Sequence, residues 1–495
     1  MDTDSAAYLG AAHNLLHGRG LTTPFTLPVS HLSPHQAASF NGAVPLTHFP
    51  PLYPLALGGL GWLGMSLAVA ARVLGVVLIG VNTALVGLLT RRLTSSRALA
   101  VAIMFVLLAG PVNGNALGIR VSWLRLHAMA ISEPLFLTAS LLALLELLRW
   151  LRTGRGGQLL AAATFGSLAF LCRYVGIAVV LTAAVTVLIW RGGPGERRLR
   201  AAGTVVGVGC IPGLLWALYG SVIKHGDSAR SLASHVDPLG GQLWQVPEGW
   251  VVPAAWPVTL RSGAIAVVAL LVAIVLADPR RWIGEREPRM LVGVRTLAVF
   301  VGIYAAVVVA THDFVDLSTP LDERIFAPVQ PIFYILLLGS VWFLAIRGAR
   351  IRVATTACVV LAMLVASSAV TSTWRLLSHG LPAEPPARAA SQLVRRLPGK
   401  VFIATNAPAR IFMDTRRASI EIPRKVSPTS GTKNTRFRGE VRDLGREVSM
   451  RDGVVVLFPT GFGMMNLADE QDLLRHTTLR VRQRLRDGTV ILGPS

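Results

Sequence analysis

Charge is scarce in this chain. Asp, Glu, Lys and Arg make up 15% of its 495 residues, whereas hydrophobic types make up 52%, and the mean hydropathy is +0.55. Such a composition does not fit a string of ordinary soluble domains, in which about a quarter of residues are charged. Cysteine is nearly absent: Cys172, Cys210 and Cys358 all fall in apolar stretches, which excludes a disulfide framework or a cysteine metal site. The first residues are polar and carry no apolar core of a secretory signal, so no cleavable leader is read. Nor is there a Walker loop, a dinucleotide fingerprint, a His-Glu-x-x-His helix or a Gly-x-Ser-x-Gly elbow.

What the chain has instead is long apolar runs. "LAVAARVLGVVLIGVNTALVGLL", "GAIAVVALLVAIVLA" and "VATTACVVLAMLVASSAV" approach or exceed the roughly 20 residues needed to cross a bilayer core. They are apolar all round rather than striped, as a lipid-embedded helix must be. The expected spans are 69–90, 98–115, 133–150, 157–172, 174–190, 201–220, 262–277, 290–310, 325–345 and 353–372. Five short loops, "RRLTSSR", "LRTGRGG", "RGGPGERRLR", "DPRRWIGEREPR" and "RGARIR", fall on every second turn and are basic. The positive-inside rule places all five in the cytoplasm. The formal net charge of +22 is thus largely a topology signal, and no nucleic-acid partner is read from it.

The longer connections then lie on the extracytoplasmic side: residues 1–68, the loops at 116–132, 221–261 and 311–324, and everything from about 373. An apolar stretch at 50–65, "PPLYPLALGGLGWLGM", is short and broken by Pro and Gly. It reads as a helix lying on the outer surface. An outer N-terminus without an export signal implies that a first span precedes Met1, or that a short N-terminal tail is translocated.

Several stretches, in this order, resemble one family. "DSAAYLGAAHNLLHGRGL" and "HFPPLYPLALGGLGWLG" look like the first outer loop of the polyprenyl-phosphate-sugar-dependent glycosyltransferases of the GT-C fold. That group includes family 39 protein mannosyltransferases and aminoarabinose transferase-like membrane proteins. "ISEPLFLTASLLALLELLR" resembles their fourth span, "LAFLCRYVGIAVVL" the turn between the fifth and sixth, and "DERIFAPVQPIFYILLL" a late outer loop. "VFIATNAPARIFMDTRRASIEIP" resembles the start of the small outer domain that follows the spans in bacterial members. The resemblance implies an all-α polytopic membrane protein with a small C-terminal extracytoplasmic α/β domain. Three parts follow: a first outer loop (1–68), a transmembrane region (69–372) and the soluble domain (373–495). The implied activity is transfer of a sugar, with inversion, from a polyprenyl-phosphate donor to a glycan, lipid or protein acceptor on the outer face of the cytoplasmic membrane.

That chemistry needs a carboxylate for the acceptor and cations for the leaving lipid phosphate. Asp4 matches the family's first-loop acid, as a general base or as the ligand of a divalent cation (Mg or Mn) if one is used. The plainer reading of Asp4 is a helix start. Glu133 matches a second acidic position, and Ser132-Glu133-Pro134 also reads as a helix N-terminus. Arg173 and Arg324 stand at span ends on the outer side, against the charge bias, and their planar forks suit phosphate oxygens. Snorkelling to lipid headgroups is the alternative. His48 is a further candidate for the phosphate.

From about 383 the pattern turns soluble. "KVFIAT", "GVVVLFP" and "TVILGP" read as strands, and "EPPARAASQLVRRLP" and the start of "DEQDLLRHTTLRVRQRL" as helices. Two other functions fit a polytopic chain. A transporter of lipid-linked sugars would place charge near span centres and repeat its halves, and neither is seen. A non-catalytic envelope scaffold would tolerate neutralisation of Asp4 and Glu133.

Overall fold

The computed structural model describes residues 3–27, 40–109, 123–189, 195–223, 246–247, 250, 257, 259–263, 266, 288–317, 319, 321–347, 388–427, 430–459 and 466–494. The expected span at 353–372 lies outside these residues, as does 262–277 apart from residues 262, 263 and 266.

The chain begins with α1 (Thr3–Leu16), followed by a two-stranded ribbon of β1 (Thr22–Thr23) and β2 (Val44–Pro45). Helix α2 (Leu52–Trp62) has 11 residues, about 16 Å at 1.5 Å per residue, half the thickness of a hydrocarbon core. It packs on α1 through its glycines: a Cβ on Gly58 or Gly61 would meet Leu15 or Leu16 at 2.7 and 2.6 Å.

Four helices are long and apolar enough to cross a membrane among the described residues. They are α3 (Leu67–Thr94), α6 (Glu133–Thr153), α9 (Gly195–Ile223) and α10 (Pro288–Phe314). Between them stand α4 (Arg97–Ala109), the short α5 (Trp123–Ala128), α7 (Gly156–Cys172) and α8 (Ile177–Ile189). A short α11 (Glu323–Phe326) and the apolar α12 (Gln330–Arg347) follow. The sequence places a basic loop at 191–200, yet α9 already starts at Gly195. Apolarity marks where lipid lies, not where helical hydrogen bonding stops, and Arg197, Arg198 and Arg200 can reach water from a helical backbone.

Helices α3, α6, α10 and α12 enclose a core of Phe136, Leu144, Phe300, Tyr304 and Ile332. The outward surfaces of α3, α4 and α9 are also apolar: Val76 is 72% exposed, Phe105 64% and Val222 71%. In water such patches would drive association, whereas in lipid they are the expected contact surface. The basic ends of α3 and α6 meet, Arg152 Nη2 donating to the Arg92 carbonyl at 2.9 Å. Helix α6 begins at the opposite end, at Glu133.

The C-terminal part is an α/β unit. In chain order it contains α13 (Arg388–Arg396), β3 (Ile403–Thr405), α14 (Pro408–Thr415), β4 (Ile420–Glu421), α15 (Phe437–Met450), β5 (Val454–Leu457), α16 (Glu470–His476), β6 (Arg480–Arg484) and β7 (Val490–Gly493). The sheet order is β4-β3-β5-β7-β6. Strands β4, β3 and β5 are parallel, and β7 and β6 run antiparallel to their neighbours. Val455 and Leu457 point into a core with Val441, Leu444 and Leu492 under α15. Val454 and Val456 meet Ile403, Ile411 and Val394 on the other face, as side-chain alternation along a doubly covered strand requires.

This unit is joined to the first loop. Phe25 bridges Ser419 in parallel fashion, Ser419 N donates to the Pro24 carbonyl at 3.3 Å, and Glu421 N donates to Thr26 Oγ1 at 2.6 Å. The rings of Phe25 and Phe412 are 5.7 Å apart. Residues 24–26 thus cover the β4 edge, and Phe412 seats α14 against Ala6 and Ala7 of α1. The helix that carries Asp4 is held from below by α2 and from the side by the α/β unit.

Candidate active site

Four charged residues from four distant segments meet at the end of the bundle opposite its basic ends. Asp4 stands in the first turn of α1. Glu133 opens α6 after Ser132, whose hydroxyl makes no capping bond to the helix. Arg173 occupies an extended bend, φ −151° and ψ 140°, between α7 and a single 3-10 turn at Tyr174–Gly176. Gly176 makes that bend possible: a Cβ there would lie 2.4 Å from the Ala169 backbone. Arg324 is in α11, whose cap Asp322 accepts from the backbone N of Arg324 and Ile325 at 3.0 Å each. The acid of Asp322 thereby shapes the turn that presents Arg324.

The charges alternate in a chain. Arg324 Nη2 is 2.6 Å from Asp4 Oδ2 and Arg324 Nε is 3.3 Å from Glu133 Oε1. Arg173 Nη1 is 2.6 Å from the same Glu133 oxygen. Two carboxylates and two guanidinium groups leave the cluster formally neutral. Exposure separates their roles. The Glu133 side chain is 1% exposed, so it meets only protein, whereas Asp4 is 22% exposed and reaches the surface.

Two tyrosines hold this arrangement, and neither is picked out by the sequence reading. Tyr8, one turn after Asp4, shares a 2.8 Å hydrogen bond with Ser132 Oγ, to which Arg173 Nη1 also donates at 3.5 Å. Burial pushes the Tyr8 phenol well above its ordinary range, with Arg173 opposing and Glu133 adding to the rise. Tyr304 of α10 donates to the Ile325 carbonyl at 2.6 Å, fixing the turn that carries Arg324. Both leave a signal in sequence. Tyr8 lies four residues from Asp4 and so on the same helix face, and a tyrosine within an apolar span needs a partner for its hydroxyl.

His48 stands beside the cluster, behind Tyr8. Its ring meets Phe49 edge-on at 4.5 Å, and Phe49 packs on Tyr8 at 4.9 Å. Glu323, beside Arg324, has its acid pushed up to about 8 by burial and by the Asp322 charge. Among the described residues no set of donors for a divalent cation converges at the cluster. Asp4 and Glu133 face guanidinium groups, and no group of three His, Cys, Asp or Glu residues converges among the described residues. Of the other loop residues, His127 is buried with its Nε2 3.0 Å from Asn82 Nδ2, and 224–245 lies outside the described residues.

Membrane-length helices running from a basic end to a buried charge cluster, with an α/β unit docked on the helix bearing Asp4, define a polytopic membrane protein of the GT-C fold. The sequence matches no family model and no curated protein. Its fold is similar to that of ArnT from Cupriavidus metallidurans bound to undecaprenyl phosphate, at 14% identity and TM-score 0.55 over 99% of this chain and 93% of that one. It is also similar to the archaeal oligosaccharyltransferase AglB from Archaeoglobus fulgidus in complex with an inhibitory peptide and a dolichol-phosphate. That match has 13% identity and TM-score 0.54, over 92% of this chain and 65% of that one.

Proposed function

We propose that this protein is a membrane glycosyltransferase that moves a sugar from a polyprenyl-phosphate donor to a glycan, lipid or protein acceptor. Transfer takes place at the extracytoplasmic face of the cytoplasmic membrane, and the α/β unit lies on that side. The observation that carries the reading is the convergence of Asp4, Glu133, Arg173 and Arg324 at the end of the bundle away from Arg92 and Arg152. The lipid phosphates bound in the two structural neighbours support the donor class.

In this reading Asp4 takes the proton of an acceptor hydroxyl as its oxygen attacks the anomeric carbon. The bond from that carbon to the phosphate oxygen breaks, and the electron pair leaves with the polyprenyl phosphate. Attack opposite the leaving group inverts the sugar. The donor diester carries one negative charge and the departing monoester up to two, so charge builds on the phosphate while Asp4 becomes neutral. Arg173 and Arg324 stabilise that build-up where it occurs. Glu133, closed off from solvent, orients both guanidinium groups rather than meeting the acceptor.

The test is a panel of polyprenyl-phosphate sugars offered to purified protein with membrane extract as acceptor, release of polyprenyl phosphate being measured for wild type and Asp4→Asn. Release that depends on Asp4 supports the transferase reading and identifies the sugar. Silence across the panel from folded protein refutes it.

A further inference from the structure

The ion-pair chain has a sealed centre, Glu133, and one carboxylate that reaches the surface, Asp4. Glu133 is 1% exposed and starts a helix whose preceding residue, Ser132, is bonded to Tyr8. Arg173 leans on the same Ser132 hydroxyl. Asp4 is 22% exposed and Arg324 and Arg173 are 13% and 17% exposed, and the Asp4–Arg324 contact is the end of the chain at which a carboxylate reaches the surface. Arg324 uses two nitrogens of its guanidinium, Nε lying 3.3 Å from Glu133 and Nη2 2.6 Å from Asp4. A guanidinium carries five N–H donors in one plane, four of them on Nη1 and Nη2, so its Nη edge can change partner while Nε stays beside Glu133.

As it stands, the arrangement disfavours catalysis. A carboxylate oxygen held at 2.6 Å by an arginine N–H already has its lone pair engaged and is not open to an acceptor hydroxyl. A phosphate offers Arg324 a bidentate partner that outcompetes one carboxylate oxygen. We propose that the donor phosphate and Asp4 compete for Arg324. Donor binding draws the Nη edge away from Asp4, and only then is the carboxylate free to accept the proton of an acceptor hydroxyl. The base is masked in the empty enzyme and unmasked by the donor, which makes addition ordered, donor first. The proposal rests on the donor-site reading above and adds to it the identity of the exchanged partner.

The test is equilibrium binding of undecaprenyl phosphate to the full-length protein in detergent, with undecaprenol as the phosphate-free control. Four forms are compared: wild type, Asp4→Asn, Arg324→Gln and the double variant. If Asp4 competes for Arg324, Asp4→Asn binds the phosphate about three- to thirty-fold tighter, the range expected for release of one close charge pair. In the Arg324→Gln background the same change gains less than about twofold, since there is no shared arginine to release. Asp4→Ala, which removes the charge without supplying an amide, must move affinity in the same direction and serves if the asparagine variant misfolds. An Asp4→Asn affinity equal to wild type overturns the exchange. So does a gain that persists undiminished in the Arg324→Gln background, because the effect is then one of overall field. Equal binding of undecaprenol and undecaprenyl phosphate by wild type is a distinct failure, that of the donor-site reading itself, and the exchange falls with it.

Discussion

Glu133→Gln changes one atom and should cost the protein far more than a surface substitution. The wild-type carboxylate is 1% exposed and lies 2.6 Å from Arg173, whose side chain is 17% exposed. Arg324 shares the same oxygen at 3.3 Å but also holds Asp4. Removing the charge therefore leaves Arg173 as the exposed loser: a nearly buried cation with a long contact to Ser132 Oγ at 3.5 Å. Two unit charges about 4 Å apart attract by about 4 kcal/mol at an effective dielectric near 20. Breaking one side of a buried pair is measured at about 3–5 kcal/mol. The two figures agree, so a loss of about 3 kcal/mol is expected. The double variant Glu133→Gln/Arg173→Met removes both charges and should recover most of that loss, because the larger cost is a lone buried charge rather than a missing pair. The assay is thermal unfolding of purified protein in detergent, followed by tryptophan fluorescence and by the monodisperse fraction on size exclusion. A single variant as stable as wild type would refute the reasoning, and so would a double variant no better than the single.

Three further outcomes follow from the same geometry. Tyr304→Phe removes the 2.6 Å hydrogen bond to the Ile325 carbonyl; it should cost about 1 kcal/mol and weaken undecaprenyl phosphate binding several-fold while leaving undecaprenol binding unchanged. Gly176→Ala puts a Cβ 2.4 Å from the Ala169 backbone, more than the usual overpacking cost of about 1–3 kcal/mol, and should lower both the unfolding temperature and the yield of monodisperse protein. His13 lies at the seam of α1 and α14, its ring 4.1 Å from His17 and 5.7 Å from Phe412. Burial first, then the charges of His17, Arg416 and Arg19, hold its pKa below the ordinary 6.5. The folded state therefore binds fewer protons than the unfolded state below that pH. This contribution to stability is complete above about pH 6.5 and is lost as pH falls through the lower folded value. Unfolding temperatures measured from pH 5 to 8 should show that slope, flattened in His13→Gln.

Much of the helical part was legible because its cause is local. A run apolar all round has one stable form in lipid, and so Leu67–Thr94 and Glu133–Thr153 can be read from composition. Their ends were less legible, as α9 shows, since side chains at Arg197 and Arg198 reach water without ending the helix. In the α/β unit the strands "VFIAT" and "VVVL" stood out by their unbroken apolar character, while β6, with Arg480, Arg482 and Arg484 exposed, did not. It is an edge strand whose pairing is supplied by β7, and its own side chains carry no core pattern. Docking of residues 24–26 on β4 had no sequence signal at all, because it rests on backbone groups that every residue possesses.

The same division runs through the candidate site. The sequence by itself singled out the charges at apolar boundaries: two arginines at span ends, an acid opening a span, an acid at the start of the first helix. Burying or stranding a charge is costly wherever it happens, so such residues announce themselves without a structure. Only the tertiary structure decided that the four are one chain of ion pairs, that Glu133 is sealed while Asp4 faces out, and that Tyr8 and Tyr304 hold the frame. Asp4 and Arg324 are 320 residues apart. Charge interactions depend on distance in space and on the surrounding dielectric, and neither is written along the chain.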